Sequence, residues 1–302
     1  MLKIFDGKKV RDEIMADLKK QIGDFKVVPT LAIIMIGNNP DSEVYVRMKI
    51  NFAKKIGANA FIVNLSTPKS DLKLEEISNP DDQITQENLL RVIEKLNDDS
   101  SVHGIIIQSP LPAPLNWQEA VEKISPEKDV DGVCSENRKK LLDNKKGIVP
   151  ATARGVLSLL NYYDISVKKK KVAVMGRSKL VGEPLAKLMK NNGAEVSVIH
   201  SQTPEPEKIT READILIVAI GQPELVGAEY IKEGAVVVDV GITSLLVVDS
   251  EGQESRKIYG DIDFESVKAL VSAISPVPGG VGPMTVASLF QNLVESYKNT
   301  LK

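Results

Sequence analysis

The feature that most constrains this chain is a series of short, mostly apolar segments alternating with segments of helical period. Val28 to Ile36, Ala60 to Leu65 and Val102 to Ile107 read as strands in the first half. Lys171 to Met175, Glu195 to Ile199, Asp214 to Ala219 and Ala235 to Val240 do so in the second. A strand that is apolar on both sides belongs in a sheet covered on both faces, which in practice means parallel strands joined by helices. The helices read between them. Asp6 is a candidate N-cap for a helix carrying Val10, Ile14 and Leu18 at i+4 steps, and Ser42 a candidate cap for one running to Ile56, with Gly57 as its stop. Glu87 to Leu96, Thr152 to Tyr162, and Val181 to Asn191 closed by Gly193 follow. Met284 to Tyr297 has Val286, Leu289, Leu293 and Val294 on one face and needs a partner surface. The polar stretch up to Thr85 reads as loop. The fold class is therefore α/β.

Length divides the pattern in two. At roughly 150 residues per domain, 302 residues with 42% hydrophobic content supply two cores, and the polar turn Asp143 to Gly147 marks a plausible boundary before Pro150. A net charge of -2 with both signs interspersed gives no field to recruit nucleic acid or an anionic membrane. A single cysteine, Cys134, and two histidines exclude a disulfide framework and a cysteine- or histidine-rich metal centre. No metal is expected. The beginning of the chain lacks a signal-peptide pattern and no apolar run is long enough to span a bilayer, so the expected compartment is a reducing cytoplasm.

Several clusters carry chemistry. Gly176-Arg177-Ser178 follows a strand and Gly182-Glu183-Pro184 opens a helix, the setting in which amides at a helix start meet a pyrophosphate. The spacing is not GxGxxG, and the same turn occurs without a ligand. The next strand ends in His200-Ser201-Gln202-Thr203, with no carboxylate to accept from a ribose 2'-hydroxyl. Arg177 and Ser201 instead offer donors to a 2'-phosphate, which favours NADP over NAD. His200 reads as a structural imidazole.

Tyr45 and Lys49, four apart, share one helix face, either as a surface pair or as part of a site. Gln108 stands at the carboxyl end of a strand, where open α/β sheets place ligand contacts, or serves as a turn-capping amide. Asp129 and Asp131 are turn aspartates or carboxylates aimed at a ligand. Cys134 and His103 read as packing residues. Ser275 to Thr285, with Pro276, Pro278, Gly279, Gly280 and Gly282, forms a shaped backbone suited to a ligand wall or to a domain-crossing turn.

Taken together, Tyr45 to Lys49, Val102 to Gln108, Lys128 to Gly132, Gly176 to Ser178 with Val181 to Pro184, and Pro276 to Thr285 closely resemble the bifunctional methylenetetrahydrofolate dehydrogenase/methenyltetrahydrofolate cyclohydrolase family. The resemblance implies a catalytic, folate-binding domain over residues 1–148, rejoined by a C-terminal helix in residues 279–302. It implies a Rossmann-like NADP-binding domain over residues 149–278, an active site in the interdomain cleft, and a homodimer. It makes Lys49 the central catalytic residue, bonded by Gln108, stacks Tyr45 on the folate aminobenzoate and gives the pterin to Asp131. The backbone of Pro278, Gly279, Gly280, Val281 and Gly282 would border the folate, and Ile242 the nicotinamide. Gly176, Arg177, Ser178 and Ser201 would hold the rest of NADP.

The chain departs from the family pattern at Val133-Cys134 and Asn137 to Lys139, where Phe-His and Asn-x-Gly are usual. It departs also at Ala151 and Ala153 within the usual Pro-Cys-Thr-Pro, at Ser109 for Leu, and at Thr243 for Asn.

Overall fold

The computed structural model describes residues 2–37, 39–65, 84–248 and 254–301. In chain order the elements begin with β1 (Lys3–Ile4), α1 (Gly7–Gly23), β2 (Thr30–Met35), α2 (Pro40–Ile56), β3 (Asn59–Asn64), α3 (Gln86–Asp98) and β4 (Gly104–Ile107). Next come α4 (Trp117–Glu122), α5 (Ser135–Leu142), α6 (Ala151–Tyr162), β5 (Lys171–Met175), α7 (Gly182–Asn191), β6 (Glu195–Ile199) and α8 (Pro206–Thr210). The chain finishes with β7 (Ile215–Val218), β8 (Val236–Asp239), β9 (Thr243–Val248), β10 (Glu254–Tyr259), α9 (Phe264–Val267), β11 (Ala273–Ile274) and α10 (Val281–Thr300). They fall into two compact units, one of residues 1–12 and 152–285, the other of residues 13–151 and 286–302. The sequence reading drew its boundaries at 148 and 278. The polar stretch read as loop lies largely outside the described residues.

The second of these units is built on a parallel three-stranded sheet in the order β3-β2-β4. Its apolar run is explained by two cores. Leu31, Ile33 and Met35 of β2 face one cluster with Phe52 and Ile56 of α2, whereas Ala32 and Ile34 face another with Leu89, Val92, Ile93 and Leu96 of α3. Helix α10 supplies Val286, Ala287, Leu289, Phe290, Leu293 and Val294 to the first cluster, where the Phe290 ring stacks on Phe52 at 4.9 Å. The Asn292 amide donates to the carbonyls of Val130 (2.8 Å) and Val149 (2.9 Å), tying the helix to the segment that carries Asp131.

The other unit is a parallel six-stranded sheet in the order β1-β11-β8-β7-β5-β6. The chain leaves β5 toward β6 on one side and returns to β7 on the other, which places a switch point, and hence a ligand crevice, at the carboxyl ends of β5 and β7. The two-residue strands β1 and β11 extend the sheet, and β9 pairs antiparallel with β10 as a separate ribbon. Among the described residues no helix is long and apolar enough to cross a membrane, and no three His, Cys, Asp or Glu side chains gather as a metal site.

Candidate active site

Helix α2 is capped by Asn39, whose side-chain oxygen accepts from the Ser42 N–H (3.3 Å) and whose carbonyl accepts from Glu43 (3.1 Å). Ser42 is therefore not the cap that the sequence suggested. It sits buried in the first turn, its hydroxyl directed at the Ser109 carbonyl 3.4 Å away. Starting the helix at Pro40 leaves Tyr45 and Lys49 on one face, Tyr45 exposed and Lys49 half-buried.

The Lys49 Nζ donates to Gln108 Oε1 at 2.7 Å. Gln108 is placed by β4, whose alignment with β2 makes its N–H donate to the Ile34 carbonyl at 2.9 Å. Its own amide Nε2 donates to the Ser109 carbonyl (2.9 Å), so the oxygen is the end turned to lysine. Burial pulls the Lys49 pKa below the ordinary lysine range, and the charge of Asp131 partly restores it. A lysine whose charge is disfavoured while a neutral amide holds its nitrogen can serve as a base.

The two aspartates differ sharply. Asp129 is buried and saturated, accepting from the N–H groups of Gly132 (3.0 Å) and Cys134 (2.9 Å) and from the Asn137 amide (3.0 Å). It is the turn aspartate, and it shapes the loop in which the chain departs from the family pattern. Asn137 completes that loop by donating to the Pro126 carbonyl at 2.7 Å. Asp131 is half-buried, and among the described residues nothing donates to its carboxylate. Burial raises its pKa, Lys49 opposes that, and Asp129 adds to it. An acceptor left open beside a lysine is what a ligand with adjacent N–H donors requires. Cys134 and His103 are packing residues. Burial, with the charge of Asp129, pushes the thiol up to about 12, and the His103 Nδ1 accepts from the Thr30 N–H at 3.2 Å.

In the six-stranded unit Gly176 ends β5 at φ +118°, and a Cβ there would stand 2.2 Å from the Ala219 carbonyl oxygen beyond β7. A Cβ on Gly182 would meet the Gly176 carbonyl oxygen at 2.2 Å, so both glycines are needed to close the turn at the switch point. Ser178 organises the entry to α7, its hydroxyl oxygen accepting from Val181 (3.2 Å) and Gly182 (3.3 Å). Arg177 and Ser201 are both exposed, Arg177 reaching the Gln202 amide oxygen at 3.4 Å. His200 is structural: its Nδ1 accepts from the Gln202 N–H at 3.2 Å. Gln202, which steers Arg177, was not singled out from the sequence because an exposed glutamine carries no pattern.

The segment 275–285 is held by Gly7, whose N–H donates to the Gly279 carbonyl at 2.9 Å, while Gly280 donates to the Pro276 carbonyl at 2.8 Å. Gly279 has φ +112°, and a Cβ on Gly7 would lie 1.8 Å from the Gly280 oxygen. The Ile242 side chain is exposed, its Cδ1 3.4 Å from where a Gly282 Cβ would be. Pro278, Gly279, Gly282 and Ile242 thus reach the surface of one fixed segment, while Gly280 and Val281 are buried beneath it.

Residues 5–131 match the tetrahydrofolate dehydrogenase/cyclohydrolase catalytic domain, and residues 150–301 match the NAD(P)-binding domain of the same enzymes. The chain is 42% identical over 292 residues to the bifunctional protein FolD of Lacticaseibacillus paracasei, covering 96% of this chain and 95% of that protein. It is similar to the crystal structure of the bifunctional FolD methylenetetrahydrofolate dehydrogenase/cyclohydrolase of Campylobacter jejuni, with a TM-score of 0.88 and 38% identity over 99% of this chain and 100% of that one. It is also similar to the Trypanosoma brucei methylenetetrahydrofolate dehydrogenase-cyclohydrolase complexed with NADP cofactor and inhibitor, at a TM-score of 0.86 and 34% identity, covering 100% of this chain and 99% of that one.

Proposed function

The chain belongs to the tetrahydrofolate dehydrogenase/cyclohydrolase family and is a bifunctional enzyme acting on methylenetetrahydrofolate, and from that premise we propose which of its residues perform each step and with which cofactor. It oxidises 5,10-methylenetetrahydrofolate to the 5,10-methenyl cation and hydrolyses that cation to 10-formyltetrahydrofolate. In the first step a hydride leaves the methylene carbon, and the lone pairs of the two flanking nitrogens stabilise the cation that remains. A bound nicotinamide cofactor supplies the hydride acceptor. The protein's contribution is alignment. In the second step water adds to the methenyl carbon and gives one proton to a base; the bond from that carbon to N5 then breaks as N5 takes up a proton and the remaining hydroxyl loses its own to become the formyl carbonyl, so that one proton is released in all.

The observation that carries this reading is the Lys49 Nζ held 2.7 Å from Gln108 Oε1, half-buried beside the open carboxylate of Asp131. Lys49, in its neutral form, takes the proton of the attacking water. The cationic substrate disfavours a second positive charge and so favours that form. Gln108 orients the amine, Asp131 accepts the adjacent amino and ring N–H groups of the pterin, and Tyr45 stacks on the aminobenzoate ring. The backbone of Pro278 to Gly282 borders the folate, and Ile242 lies at the nicotinamide.

The unit that holds the nicotinamide cofactor has a turn that suits it: glycines at 176 and 182 let the backbone close tightly between the end of β5 and the start of α7, the setting in which a helix start meets a pyrophosphate. Gly176 and Ser178 line that turn. NADP is the preferred form, because His200 to Thr203, which follow β6 directly, hold no carboxylate and the exposed Arg177 and Ser201 supply donors for a 2'-phosphate. The active assembly is a homodimer in the cytoplasm, tested by sedimentation equilibrium and fractionation. The central experiment gives the purified protein methylenetetrahydrofolate with NADP or with NAD and follows reduced cofactor and methenyl absorbance. NADPH formation followed by methenyl decay above the spontaneous rate is expected. Equal use of NAD would overturn the cofactor assignment.

A further inference from the structure

Two buried carboxylates in the six-stranded unit take no part in the chemistry described above. Asp239 closes β8 and Asp261 follows β10, and both are buried. Asp261 Oδ2 accepts from the N–H groups of Ile220 (2.7 Å) and Gly221 (3.0 Å), the turn after β7. Asp239 Oδ1 accepts from Gly241 (2.9 Å), in the turn after β8, and from the Asp261 N–H (3.1 Å), while its Oδ2 accepts from Ile262 (3.0 Å). The two turns are thereby joined through one pair of side chains. The Ser275 hydroxyl donates to neither carboxylate; it accepts from the Asp239 N–H at 2.8 Å and ties β8 to the start of the 275–285 segment.

The packing leaves no slack. A Cβ on Gly241 would stand 2.2 Å from the Asp261 Cγ, and one on Gly260 would stand 2.0 Å from Asp239 Oδ2. Burying two like charges is costly, and here burial outweighs the backbone donors and, with the charge of Asp261, pushes Asp239 up to about 7. Among the described residues Asp261 Oδ1 has no hydrogen-bond partner. Simple turn closure does not need such an arrangement, since backbone carbonyls can accept the same N–H groups.

We propose that Asp239 and Asp261 are positioning residues for the hydride step, fixing the turns 219–221 and 240–242 at the carboxyl ends of β7 and β8, on which the nicotinamide end of the cofactor rests. The proposal builds on the NADP reading above. Strands β7 and β8 are adjacent and parallel, with Val218 opposite Asp239, so both turns emerge at the edge where such sheets bind nucleotides. Gly241 precedes Ile242, so the Asp239 bond sets where that exposed side chain points. The phosphate cradle at Gly176 and the ribose contacts at Arg177 and Ser201 lie on other turns. Loosening the carboxylate pair therefore disturbs alignment for hydride transfer more than it disturbs cofactor affinity.

The chemistry of the two residues predicts an asymmetry that a merely structural role does not. Asp261 uses one oxygen, so Asn can present its carbonyl to Ile220 and Gly221 and place its NH2 at the unpartnered position. Asp239 uses both oxygens, so Asn must turn an NH2 toward an N–H. The test measures dehydrogenase kcat, the KM for NADP and methenyl hydrolysis in Asp261→Ala, Asp261→Asn and Asp239→Asn. We expect kcat for NADPH formation to fall at least about tenfold in Asp261→Ala and Asp239→Asn, with KM for NADP and hydrolysis within about threefold of the parent, and Asp261→Asn to retain activity. If Asp261→Ala fails to fold and loses both activities, the two Asn variants decide. Equal activity in the two Asn variants, or a loss confined to KM for NADP, would overturn the proposal. A parent protein that forms no NADPH at all would instead defeat the underlying reading.

Discussion

Asp129 and Asp131 are the same side chain two positions apart, and the number of donors each has found separates their roles. Asp129 has three and belongs to the fold; Asp131 has none among the described residues and is free for a ligand. Replacing Asp131 with Asn should cost folate binding roughly 2 to 5 kcal/mol, as truncation of one partner in a buried charged contact does, and leave NADP affinity unchanged. Titration with each ligand separately checks this, and equal weakening of both would contradict it. Lys49→Met should abolish methenyl hydrolysis while part of the dehydrogenase activity survives, because only water attack needs a proton acceptor. Since burial lowers the Lys49 pKa, hydrolysis by the parent should rise with pH and level off below the ordinary lysine range. A hydrolysis rate in Lys49→Met equal to the parent's, after the spontaneous rate is subtracted, would show that this lysine is only part of a helix face. The sequence displayed Tyr45 and Lys49 at helical spacing, but the Gln108 bond that makes Lys49 special depends on a strand end 59 positions away, which no local pattern encodes.

At the scale of elements, what was legible followed burial. β2, β4, β7 and β8 are covered on both faces and announced themselves as apolar runs, and Asp6 caps α1 as its position suggested, accepting from Lys8 (2.9 Å) and Lys9 (3.1 Å). The strands β1 and β11 went unread because two residues carry no period, and the β9–β10 ribbon because its exposed Ser, Arg and Lys residues dilute any alternation. The short helices α4, α5, α8 and α9 are likewise below the length at which a face can be recognised. The turns after β5 and β6 make the cofactor prediction. Arg177→Ala combined with Ser201→Ala should raise the KM for NADP and leave that for NAD unchanged, since both side chains are exposed and neither holds the turn together. Initial-rate kinetics with both cofactors decide it; an unchanged NADP preference would place the 2'-phosphate elsewhere.

For the whole molecule, the last helix matters more than its position suggests. The six apolar side chains that α10 gives to the three-stranded unit represent on the order of 10 kcal/mol of burial, comparable with the whole stability of a typical domain. A chain ending at Thr285 should therefore lose methenyl hydrolysis entirely while still binding NADP, a combination that calorimetry with the nucleotide and a cyclohydrolase assay would reveal. Loss of both functions would mean that the six-stranded unit does not fold without the other. Both units are discontinuous in sequence, and this sets a schedule during synthesis. The six-stranded sheet has all its strands once Ile274 has left the ribosome, but the face of β2 that carries Leu31, Ile33 and Met35 must wait for residues 286–294. Until then a nascent chain carries a sheet face covered only in part, by α1 and α2, and the apolar surface left open is what makes the early part of the protein prone to aggregation and the late part its remedy.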